Sequence, residues 1–174
     1  MAIGNSLIKQ ICIVVWDIEK AEKSWSHILG VQAEKLKTPK WCDVPSFTHG
    51  HPDSFVEQDF LVYHLDGGLT LEIFGPGHEG QDNPWREFLE KHGEGVCNIA
   101  FYVKDREKAY ADIHQVCAAE GPYHEGFYPG GSYTFVDTYD ELGVELNIKA
   151  DEDNTGKIAE YEADPSRYPR YAEH

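Results

Sequence analysis

Residues 8–21 read IKQICIVVWDIEKA, and residues 93–105 read GEGVCNIAFYVKD. Each stretch alternates apolar side chains at a period of two, the pattern of a half-buried strand, and then reaches Val-x-Asp. An aspartate there reads as a helix N-cap, because its carboxylate can accept from backbone N–H groups that a first helical turn leaves without partners. After Asp17, the residues Ala21, Trp25, Ile28 and Leu29 recur at helical spacing until Gly30. After Asp105, the residues Ala109, Tyr110, Ile113, Val116 and Cys117 do the same until Gly121. One strand–helix unit is therefore written twice, and a repeat decides architecture before any single motif does.

Hairpin signals follow each helix. DFLVYHLDGGLTLEIFGP turns at Gly67 and Gly68, and SYTFVDTYDELGVELNIKA turns around Asp140 to Gly143. The predicted fold class is α+β, with two tandem β-α-β-β-β modules over residues 6–76 and 96–150. Between them, residues 77–95 form a linker whose short helix starts at Pro84 and presents Trp85, Phe88 and Leu89. Residues 38–58, rich in Pro, His and aromatics, read as a covering loop. Residues 151–174 form an acidic tail with two readings, a partial arm packed through its tyrosines or a mobile segment.

Composition narrows the function. At 174 residues, 41% of them hydrophobic, the chain can bury a core within one domain. A formal net charge of -16 repels nucleic-acid phosphates and anionic membranes, and no Lys/Arg stripe overrides it. The expected partner is a small molecule, with no nucleic acid and no membrane. There is no apolar run long enough to cross a bilayer and no signal-peptide order at the start, so the expected setting is cytoplasmic. Cys12, Cys42, Cys97 and Cys117 share no CxxC spacing and are expected as buried free thiols.

The repeat, with D-x-E-K-A after the first strand and LEIFGP ending the first half, resembles the vicinal oxygen chelate superfamily, which includes lactoylglutathione lyase, methylmalonyl-coenzyme A epimerase and extradiol dioxygenases. FLEKHGEGVCNIAFYVKD is most similar to the epimerase branch. The resemblance spans residues 8 to about 149. It implies that the modules form curved mixed sheets around a cavity holding one metal, with a ligand from the first and last strand of each module. Carried over, those positions are Gln10, Glu72, Asn98 and Glu145, so that both first-strand positions, commonly histidine, are amides here.

Strand parity agrees with a polar inner face. Gln10, Cys12 and Val14 share one face, as do Asn98, Ala100 and Tyr102, while Ile11, Ile13 and Val15 take the other. Two carboxylates and two amides suit a hard cation such as magnesium, manganese or calcium better than zinc. With no metal, the amides of Gln10 and Asn98 donate to the carboxylates or to a substrate oxygen instead. Glu145 and Glu72 are the candidate catalytic bases, and Tyr102, Tyr63, Tyr133 and Trp41, with His64, are the candidate substrate contacts. His49 and His51 form a rival HxH metal pair, or else belong to a lid with Trp41 and Phe47. His92 is expected at the surface.

Two functions stand at this stage. One is a lyase or isomerase acting on an acyl or carbonyl compound through an enolate-like oxyanion. The other is a metal-free protein that binds or sequesters a small molecule on the same scaffold. A homodimer is the expected assembly.

Overall fold

The computed structural model describes residues 3, 6–38, 45–52, 58–80, 83–151, 153–155 and 159, with the backbone alone at His51 and Pro52. The chain opens with strand β1 (Ile8–Val14), helix α1 (Ile18–Leu29) and strand β2 (Glu34–Lys37). Two short strands follow, β3 (Ser46–Thr48) and β4 (His51–Pro52), and then β5 (Asp59–His64) and β6 (Thr70–Phe74). Helix α2 (Pro84–His92) leads to the second repeat: β7 (Gly95–Tyr102), α3 (Arg106–His114), β8 (His124–Tyr128) and β9 (Gly131–Val136). The one-turn helix α4 (Tyr139–Leu142) and strand β10 (Glu145–Lys149) complete it.

The repeated aspartates cap as expected. Asp17 accepts from Lys20 N at 2.9 Å and Asp105 from Lys108 N at 3.0 Å. Gly30 ends α1 at φ 71°, a left-handed conformation that glycine adopts without a Cβ penalty. Two details differ from expectation. Helix α3 stops at His114 rather than running to Gly121, although Cys117 still packs with its apolar residues. Ile28, placed by its spacing in the α1 stripe, is 72% exposed, because only Ile18, Ala21, Trp25 and Leu29 face the sheet.

All ten strands join one mixed sheet in the order β2-β5-β6-β1-β7-β10-β9-β8-β3-β4. The modules meet where β1 pairs antiparallel with β7, and within each module the first and last strands are parallel. The insertion read as a loop contributes β3, which pairs with β8 of the other module. This fixes the curvature of the sheet. Laid flat, eight strand spacings would separate β2 from β3 by about 38 Å, yet the chain from Lys37 to Ser46 can span only about 30 Å. The sheet is accordingly curled into a half-barrel.

Apolar residues fill both faces. On the convex side, α1 covers Leu61, Tyr63, Leu71 and Ile73, and α3 covers Val136, Leu146 and Ile148. On the concave side, α2 inserts Trp85, Phe88 and Leu89 against Cys12, Val14, Phe74, Cys97 and Phe135. Asn83 fixes that helix by accepting from Trp85 N at 3.0 Å and Arg86 N at 3.1 Å, while its own amide donates to Gln58. A side chain at Gly77, which has φ 63°, would collide with Asn83 and Gln58. Cys12, Cys97 and Cys117 are buried free thiols, while Cys42 lies outside the described residues. His92, expected at the surface, stacks on Tyr139 with ring centroids 3.8 Å apart. No helix among the described residues is long and apolar enough to cross a membrane.

Candidate active site

The concave face holds a cavity of about 140 Å³ walled by Gln10, Cys12, Thr38, Ser46, Phe60, Glu72, Phe74, Trp85, Tyr133, Phe135, Asn147 and Lys149. Its floor is a stack of rings. Phe60 lies 4.6 Å from Phe74, and Phe74 4.0 Å from Trp85, both pairs within 4° of parallel. Such pairs add about 0.5–1.5 kcal/mol each beyond the area they bury. Thr38 and Ser46 are buried in its wall, and Trp41, between them in sequence, lies outside the described residues.

Against this apolar floor stand three connected polar side chains. Lys149 Nζ donates to Gln10 Oε1 at 2.5 Å, and Gln10 Nε2 donates to Glu72 Oε2 at 2.6 Å. The amide orientation is set by its neighbours, since an ammonium only donates and a carboxylate accepts. Burial pushes the Glu72 carboxyl above its ordinary range, and the Lys149 charge opposes that rise. Burial also lowers the Lys149 ammonium, with the Glu72 charge opposing. Asn147 is 2% exposed, and its Oδ1 has no hydrogen-bond partner among the described residues.

Asn98 and Glu145 lie outside the cavity wall. Asn98 is buried and donates to Cys97 Sγ at 3.5 Å. Glu145 accepts from Tyr123 Oη at 2.8 Å, in a cluster that also contains His49, which stacks on Tyr123 and approaches Glu87 at 3.1 Å. Burial raises Glu145 to about 8; the Tyr123 hydrogen bond and Lys91 oppose the rise, and Asp137 and Glu87 add to it. The two glutamates thus occupy separate environments.

The other expected contacts divide in the same way. Tyr133 walls the cavity, whereas Tyr102 does not; it is 37% exposed and paired in register with Lys149. Tyr63 lies on the convex face, where its hydroxyl reaches Ser26 Oγ at 3.0 Å and Glu22 O at 3.1 Å, because strand parity puts it opposite Glu72's face. His64 is exposed and contacts Glu34. Phe47 packs edge-on against Phe127 at 6.4 Å.

Asn147 and Lys149 had no place in the sequence expectation. Gln10 pairs with Thr70, two residues before Glu72, and Asn98 pairs with Glu145, two residues before Asn147. In matching register the counterpart of Glu72 is therefore Asn147. The positions equivalent by repeat are Gln10, Glu72, Asn98 and Asn147, three amides and one carboxylate.

A divalent cation fits this donor set poorly. Gln10 Oε1 is occupied by Lys149, and among the described residues no three His, Cys, Asp or Glu side chains are placed to hold one metal ion. An ion placed about 4 Å from the ammonium would meet repulsion of about 4 kcal/mol per pair of unit charges at an effective dielectric of 20.

Comparison with known proteins agrees with this fold. A variant of the Streptomyces coelicolor methylmalonyl-CoA epimerase, in complex with 2-nitronate-propionyl-CoA, superposes with a TM-score of 0.54 at 22% identity, covering 84% of this chain and 94% of that one. A hypothetical protein of Bacillus halodurans gives a TM-score of 0.53 at 19% identity over 84% and 95% of the two chains. The Mycobacterium tuberculosis methylmalonyl-CoA epimerase gives 0.52 at 13% identity over 86% and 91%. No curated protein matches the chain by sequence. Residues 9–135 match the family described as Glyoxalase/Bleomycin resistance protein/Dioxygenase superfamily. With its paired modules, curled sheet and this match over most of its length, the chain belongs to the glyoxalase/bleomycin resistance/dioxygenase superfamily.

Proposed function

We propose that the protein is an isomerase or lyase that removes a proton beside the carbonyl of a small acyl or carbonyl compound, with Glu72 as the base. The observation that carries this reading is the Glu72 carboxylate itself, which faces the cavity, is held by Gln10 at 2.6 Å and is raised by burial. A general base works best when its pKa approaches the operating pH, and burial moves a carboxylate in that direction. At about 140 Å³ the cavity is smaller than the roughly 300–1,000 Å³ that encloses a drug-sized ligand. It suits a short acyl group whose remainder extends outside the cavity. Structural neighbours named as methylmalonyl-CoA epimerases make acyl thioesters the first class to try.

A non-catalytic binding role is the second reading, favoured by amides at three of the four repeat-related positions. Solvent-deuterium incorporation into a panel of acyl thioesters and 2-oxo acids separates the two. Wild type is expected to exchange the proton next to the carbonyl, and Glu72→Gln to lose at least about a hundredfold in rate, the usual contribution of a positioned base. Absence of exchange with every compound, alongside measurable binding of one of them, would establish the binding role. Glu145→Gln is expected to retain exchange, and its loss there would move the base to Glu145.

A further inference from the structure

We propose that the Lys149 ammonium, held by Gln10 at the cavity wall beside Glu72, is this protein's own cation for a substrate oxyanion, serving in place of a divalent metal. The inference rests on the proton-abstraction reading above.

The first is placement. Lys149 shares a face of β10 with Asn147, and both wall the cavity, while Leu146 and Ile148 on the opposite face pack with the α3 residues. The second is preorganisation: the 2.5 Å hydrogen bond from Nζ to Gln10 Oε1 uses one ammonium donor and fixes the head group, and two N–H bonds remain for a ligand. The third is the donor set. Repeat-related positions that could ligate a metal carry amides at Gln10, Asn98 and Asn147, and the Gln10 oxygen already accepts from the lysine.

These positions define a reaction that needs no further reagent. The proton leaves the carbon beside the carbonyl for a Glu72 oxygen. The C–H electron pair becomes the C=C bond of an enolate, and the carbonyl π pair moves onto oxygen, where it meets the Lys149 N–H groups. Return of a proton from Glu72 to the same carbon restores the carbonyl and the carboxylate, so Glu72 and Lys149 account for enolate formation and for exchange of that hydrogen with solvent. Fixed charges aimed at the developing oxyanion stabilise it without reorganisation at the moment of reaction. The buried Asn147 Oδ1 offers an acceptor in the same wall, so the fitting ligand joins an acidic C–H, a carbonyl oxygen and a hydrogen-bond donor.

Oxalate, a planar anion resembling an enolate, is the probe. Titration calorimetry in EDTA is expected to show oxalate binding to wild type, weakening of about tenfold or more in Lys149→Met, and partial recovery in Lys149→Arg, as for loss and return of a charge-assisted hydrogen bond. Lys149→Gln is read instead wherever the Met variant loses the wild-type melting profile. Oxalate binding that requires Mn²⁺, or equal binding by wild type and a folded uncharged variant, would overturn the assignment. Deuterium exchange keeps the two readings apart. Exchange that depends on added Mn²⁺ removes the lysine assignment and leaves the base in place, whereas Lys149-dependent oxalate binding without exchange of any compound removes the reaction and leaves the cation.

Discussion

Glu72 and Asn147 stand at matching points of the two modules, each two residues beyond the strand partner of its module's first amide, and both side chains reach the same cavity. The repeat therefore builds a lopsided site, with a carboxylate on one side and an amide followed by a lysine on the other. The expected behaviour follows from that asymmetry.

Gln10 joins the two charged ends. Replacing it with leucine removes both hydrogen bonds and leaves Glu72 and Lys149 with unmet polar groups in an apolar wall. Stability is expected to fall by about 1–3 kcal/mol, measured by urea unfolding. A neutral result would mean that the two charges reorganise without it.

Glu145 makes stability depend on pH. Its carboxyl is raised from 4.5 to about 8 in the folded chain, mainly by burial, so between those values the native state holds a proton that the unfolded state has lost. The contribution is present in full below pH 4.5 and is lost as pH rises towards 8, at no more than about 1.4 kcal/mol per pH unit. Melting profiles of Glu145→Gln are expected to be flatter than wild type over this window.

His124 acts with the opposite sign. Burial first, and then the His49 charge, lower it from 6.5 to about 3, so the unfolded chain binds the extra proton and stability falls as pH drops through that interval. His124 Nδ1 and Thr48 Oγ1 lie 2.9 Å apart where β3 meets β8. Thr48→Val is expected to speed hydrogen exchange at residues 46–48 while exchange in β1 and β7 stays close to wild type.

Gly126 sits under the ring of Tyr133, its cross-strand partner, where an added Cβ would overlap the ring. Gly126→Ala is expected to push Tyr133 out of the cavity wall, at a cost of about 1–3 kcal/mol for overpacking, and to weaken oxalate binding. Unchanged calorimetry would show that Tyr133 has no part in shaping the site.

The helix caps offer a control remote from the cavity. Asp17→Ala and Asp105→Ala should each cost about 1 kcal/mol, which for a chain of this size lowers the melting temperature by about 2–4 °C.

Local chemistry made the modules legible. Alternation, a capping aspartate and hairpin glycines all act over a few residues, so Asp17 and Asp105 marked the two helices. The crossing strand was not legible in this way: SFT pairs with β8, more than seventy residues later in sequence, and no local signal names that partner. Gln10 and Glu72 are legible because the family resemblance carries its first-module positions onto them and both are polar residues within apolar strands. The family resemblance carries the last-strand position of the second module onto Glu145 and not Asn147, although Glu72 follows Gly68 by the same interval that separates Asn147 from Gly143. Lys149 had the parity of an inward side chain, but a lysine near a strand end is usually taken for solvent-facing.

The route of the insertion also orders events during synthesis. Strand β3 leaves the ribosome well before β8, its main-chain partner, and the cavity receives its last polar residue only with Lys149 in the final strand. A nascent chain halted within the second repeat would hold Gln10 and Glu72 without Asn147 and Lys149, so the polar wall of the cavity is completed only at the last strand.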